Sequence, residues 1–95
     1  MGETRRESGT PVKPIRFSNH ALGYRSRRGF AREEVEDAIR TCSWKPAEAG
    51  RLECRKNFQF EGEWNGKRYS TKQVRPIFVE EGNTILVVTV YTYYF

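Results

Sequence analysis

The chain has one histidine and two cysteines among 95 residues, and no apolar run longer than the four residues from Ile85 to Val88. Each shortage excludes something. A bilayer-spanning helix needs roughly 20 apolar residues, so no membrane span is expected. Two cysteines are too few to staple a small secreted scaffold and read as reduced thiols. One histidine with Cys42 and Cys54 makes three soft ligands at best, short of a closed zinc site, so neither a metal nor a cofactor is expected. The opening MGETRRESGT carries charge with no apolar segment behind it. No secretory leader is therefore expected, and the composition fits a cytoplasmic protein. A phosphate-cradling glycine loop and a nucleophile elbow are also missing.

What is present is basic and aromatic. There are 17 Lys and Arg against 12 Asp and Glu, and 6 Phe, 5 Tyr and 2 Trp. Residues 1–14 have almost no apolar content and read as a disordered arm. The arm holds three basic and two acidic residues, which leaves a net charge of +4 on residues 15–95. The basic excess belongs to the single domain expected there. About 80 residues is near the lower limit for one hydrophobic core, and the aromatic rings supply much of the apolar area it needs.

The pattern along the chain is α+β. Ile15-Arg16-Phe17 fits only a short edge strand. Ser18 then stands where a helix N-cap belongs, and Phe17, Ala21, Tyr24 and Arg28 share one face of a short helix that Gly29 ends. A second helix opens at Arg32-Glu33-Glu34, with carboxylates at its positive end. Val35, Ala38, Ile39 and Cys42 form its apolar stripe. After Gly50 the chain reads as strand and turn. Phe58 and Phe60 alternate with polar residues, and Asn65-Gly66 marks a tight hairpin. The next strand runs from Lys72 to Glu80, with Pro76 implying an edge or a bulge. The last, from Thr84 to Tyr94, should be central. In it Ile85 and Val87 point one way and Leu86, Val88 and Val90 the other. The expected fold is two N-terminal helices packed on a three- or four-stranded antiparallel sheet.

Three groups of residues can carry chemistry. His20 falls in the first turn of the first helix, where an imidazole serves either as a general acid or base or as a half-buried hydrogen-bonding group that orients the helix. The basic residues Arg25, Arg27, Arg28, Arg32, Arg51, Arg55, Lys56, Lys67, Arg68, Lys72 and Arg75 suit phosphates, and Trp64 and Tyr69 among them suit unpaired bases. Acidic residues interspersed with them also fit an ordinary solvated surface. The C-terminal Tyr91-Thr92-Tyr93-Tyr94-Phe95 fits either alternate capping of the core or an exposed patch that meets a protein partner.

Phe17-Ser18-Asn19-His20-Ala21, Arg28-Gly29-Phe30, Glu33-Glu34-Val35 and Ala38-Ile39 resemble a small bacterial family, number 4258 among the domains of unknown function. Its members open with a Ser-x-His-Ala helix and an Arg-Gly helix junction. They end in a strand with a Thr-Val-Tyr tail, matched here by Val87 to Tyr91. The family's usual basic residue one turn after the histidine is Tyr24 in this chain, and Pro76 interrupts a strand that is usually regular. The layout is similar to that of the RelE and BrnT toxins, metal-independent ribonucleases neutralised by an antitoxin. That likeness is one of fold. It implies attack of an RNA 2′-hydroxyl on the adjacent phosphate, with His20 as acid or base, Tyr91 as a proton donor, and Arg28 with Lys72 or Arg75 clamping the phosphate. It also implies RNA and an antitoxin-like protein as partners. A non-catalytic protein-interaction module is the other expectation.

Overall fold

Ser18 begins the architecture. In the computed structural model, which describes residues 13–95, its hydroxyl accepts the backbone N–H of Ala21 at 3.0 Å and so caps helix α1, Asn19–Gly23. The same hydroxyl donates to the carbonyl of Val88 at 3.0 Å. The helical stretch expected from Ser18 to Gly29 breaks at Tyr24, and α2, Arg25–Arg28, follows as a separate turn. Gly29 ends α2 at φ 75, and a side chain there would strike the Trp64 ring and the Tyr94 hydroxyl. The long helix α3 spans Arg32–Thr41 and buries Val35, Ala38 and Ile39. Cys42, expected on its stripe, stands just past its end and is half-buried.

The described residues form six strands: β1 Ile15–Phe17, β2 Lys45–Pro46, β3 Leu52–Glu53, β4 Lys56–Trp64, β5 Lys67–Glu81 and β6 Thr84–Tyr94. They make one mixed sheet in the order β1-β6-β5-β3-β2, with β4 also paired to β5. The expected three or four antiparallel strands are therefore corrected to six, and two helices to three. Strands β2 and β3 are two residues each, too short to leave a periodic signal. Strand β1 pairs parallel to β6, with Ile15 opposite Ile85. Two residues of the expected arm already join this edge. Pro14 accepts from Ile85 N–H at 2.9 Å, and Lys13 pairs with Glu80 at 2.8 Å. The remainder of that arm, residues 1–12, lies outside the described residues.

Strands β5 and β6 are the spine. Pro76 lies inside β5, an interior strand. On one side β4 pairs with β5 as far as Val74 and β3 pairs from Ile77 onward, so the proline falls between two neighbours. On the other side the ladder slips: Ile77 faces Thr89 and Phe78 faces Val87. Val88 is the extra residue, a β-bulge. An extra residue inverts the inside–outside alternation. Val90 accordingly joins Ile85 and Val87 in the buried core, which corrects its expected place on the opposite side. The core lies between this sheet face and the helices and contains Ala21, Phe30, Val35, Ile39, Val74 and Phe78. Complete burial of Phe78 contributes roughly 1.5–3 kcal/mol. The Asn65-Gly66 turn takes the positive φ values, 54 and 83, that a tight hairpin requires.

Ser18→Ala removes both the α1 cap and the partner of the bulged carbonyl. It should destabilise the fold by about 1–2 kcal/mol, read as a lower urea midpoint. An unchanged midpoint would contradict this double role.

Candidate functional site

The sheet's other face, away from the helices, carries Arg75 and Ile77 on β5, Thr89 and Tyr91 on β6, and Glu53 on β3. With Pro46, Ala47, Glu48 and Arg51 these residues line an open cleft of about 600 Å³. Cross-strand pairing puts Arg75 opposite Tyr91, and Ile77 opposite both Thr89 and Glu53. Glu53 Oε1 accepts from Arg75 Nε at 2.7 Å and from Nη2 at 2.5 Å. Arg75 Nη1 also donates to the Tyr93 hydroxyl at 3.2 Å. Burial opposes the charge on Arg75, but its bonds to Tyr93 and Glu53 outweigh that effect and raise its pKa above the usual value. The result is a fixed, permanently charged guanidinium at the cleft wall.

Arg28 arrives from the opposite side of the sheet. Strand β1 covers β6 only from Ile85 to Val87, which leaves room for Arg28 to reach past the edge beyond that point. Its guanidinium donates to the Val90 carbonyl at 2.8 Å and to Thr89 Oγ1 at 3.4 Å. It lies 4.9 Å from the centre of the Tyr91 ring, and Arg75 lies 5.4 Å from the same ring. Tyr91 is thus flanked by two arginines, each within cation–π range. The backbone of Arg28 is held as firmly. Its carbonyl accepts from Thr92 Oγ1 at 2.5 Å and from the Tyr94 hydroxyl at 3.1 Å. Burial, reinforced by the nearby Glu34 charge, raises the Tyr94 pKa and keeps its hydroxyl proton available for that bond.

Of the five residues singled out in the sequence, Arg28, Arg75 and Tyr91 come together here. Lys72 does not. It is buried on the helix face, where its ammonium pairs with Glu34 at 2.9 Å and donates to the Gly29 carbonyl at 2.9 Å. Glu34 also accepts from Ala31 N–H at 2.9 Å, so Lys72 ties the start of α3 to the sheet. His20 is exposed on α1 and does not line the cleft; its ring meets Tyr24 edge-on at 4.9 Å. Glu53 was missed. Its signal is a lone carboxylate between the apolar Leu52 and Cys54, the mark of a residue that faces away from the core.

Among the described residues no three His, Cys, Asp or Glu side chains cluster as metal ligands, and no helix is long and apolar enough to cross a membrane. No family model, curated protein or solved structure matches the chain.

Cys54, next to Glu53, is buried, and desolvation with help from Cys42 and Glu53 pushes its thiol pKa up to about 12. Only Cys42 should react with a thiol reagent in the folded protein near neutral pH; Cys54 should react after unfolding. Because the folded-state pKa lies above the ordinary thiol value of 9.0, stability from this thiol is full below that value and is lost as pH rises through the folded pKa. Prompt labelling of both thiols would contradict the assignment.

Proposed function

We propose that the cleft binds single-stranded RNA and cleaves it without a metal, by attack of a 2′-hydroxyl on the neighbouring phosphate. The observation that carries this reading is the flanking of Tyr91 by Arg28 and Arg75 beside the Glu53 carboxylate. A guanidinium in the cleft wall, Arg75, with a second, Arg28, against the ring of Tyr91 suits a phosphodiester and stabilises the extra charge of a five-coordinate phosphorus. Glu53 engages Arg75 through Oε1. Its second oxygen, without a hydrogen-bond partner among the described residues, takes the proton of the 2′-hydroxyl. The freed oxygen attacks phosphorus while the bond to the 5′-oxygen breaks. Tyr91 gives its proton to that leaving oxygen, and the products are a 2′,3′-cyclic phosphate and a 5′-hydroxyl.

The kinship with family 4258 and the RelE and BrnT layout belongs to the same proposal, as do a cytoplasmic setting and an antitoxin-like protein that would cover the cleft. A second reading, a non-catalytic protein-interaction module, is favoured by the exposed rings of Tyr91, Tyr93 and Phe95, which are 39%, 40% and 57% exposed.

The two separate in one assay. Single-stranded RNA incubated with the purified protein in the presence of a chelator should acquire cyclic-phosphate ends. Glu53→Gln should lower the rate by about 10²–10⁴-fold and Arg75→Ala by about 10²–10³-fold. The surface variant Glu80→Gln should retain the wild-type rate. RNA that the wild type leaves intact would overturn the cleavage reading.

A further inference from the structure

The sequence from Lys13 to Arg32 contains six basic residues and no carboxylate. After Glu7 the next carboxylate in the sequence is Glu33. Within this stretch rings and cations alternate in contact. His20 meets Tyr24 at 4.9 Å, and Tyr24 lies beneath the guanidinium of Arg28 at 4.1 Å and beside that of Arg27 at 5.4 Å. Arg28 in turn reaches Tyr91 at the cleft. The row therefore runs without a break from α1, around the edge of β6, to the open face. His20 and Arg27 on it are exposed, and so is Arg25, which shares the short helix α2 with Arg27.

We infer that this row is a second binding track, which holds the nucleotides of a single-stranded RNA beyond the one engaged in the cleft. The inference rests on the RNA reading of the cleft. Exposed arginines neutralise successive phosphates, and rings set between them stack on unpaired bases, the combination that binds single strands with little regard to sequence. His20 supplies such a ring and Arg25 and Arg27 supply the charges. An acidic peptide would satisfy the arginines but leave the rings unused. In this track His20 is a binding residue outside the reacting centre, and Tyr24 is the support between it and Arg28.

Binding of a 2′-O-methyl oligouridine, which cannot be cleaved, tests the track when compared with binding of the corresponding dinucleotide. The wild type should bind the longer strand more tightly. Replacing both exposed arginines, Arg25→Ala with Arg27→Ala, should weaken the longer strand about tenfold and reduce the slope of log affinity against log salt by about 1.4. Dinucleotide binding should be unchanged. His20→Ala should also weaken only the longer strand, again about tenfold. A wild type that binds the dinucleotide but gains nothing from length overturns the track and leaves the cleft standing. One that binds neither overturns both. Competition by polyglutamate as effective as that by the oligonucleotide overturns the track in favour of an acidic protein partner.

Discussion

One extra residue in β6 decides which side chains face which way. Without the bulge at Val88, strict alternation would put Thr89, Tyr91 and Tyr93 on the helix side with Ile85 and Val87. With it, Val90, Thr92 and Tyr94 turn inward, and the cleft acquires its tyrosine. The bulged carbonyl is held by the hydroxyl that caps α1. Helix position and strand parity are therefore coupled through Ser18.

The inward and outward sets of β6 then act on the same residue. Thr92 and Tyr94 hold the carbonyl of Arg28 from the helix side, while Val90, Thr89 and Tyr91 receive its guanidinium at and beyond the strand edge. The backbone carbonyl and the guanidinium of Arg28 are both anchored, so less conformational freedom remains to be lost when an anion binds. Gly29 makes this possible by turning the chain where Trp64 and Tyr94 leave no space for a Cβ. Lys72 secures the neighbouring segment through Gly29 and Glu34. A buried ion pair of this kind adds little net stability but is costly to break. Its contribution is to geometry.

Much of this was legible in the sequence, and the boundaries of legibility are physical. The Ser18 cap, the α3 stripe and the Asn65-Gly66 turn are local, set by a few neighbouring residues, and each can be read from spacing. The bulge is not local: β6 is apolar on both sides through Val88, so its composition does not reveal where alternation inverts. Pro76 pointed to a bulge or an edge, and what the sequence could not show is that the slip lies on the partner strand. Arg28, Arg75 and Tyr91 were recognised as chemically apt residue types, yet their meeting depends on pairing across the sheet. By sequence alone Lys72 is a surface cation, because nothing nearby in the chain reveals the carboxylate that covers it, 38 positions away at Glu34. Glu53 leaves no periodic signal, because its strand has two residues.

The central claim is that the face of the sheet opposite the helices is where RNA is held. The most direct test is a nuclear magnetic resonance titration of the full chain with an uncleavable 2′-O-methyl dinucleotide. The largest shifts should fall on Glu53, Arg75, Thr89 and Tyr91, with the Arg28 guanidinium signal moving in step. Shifts centred on Lys72 and Glu34 beneath the helices, or none at saturating ligand, would contradict it.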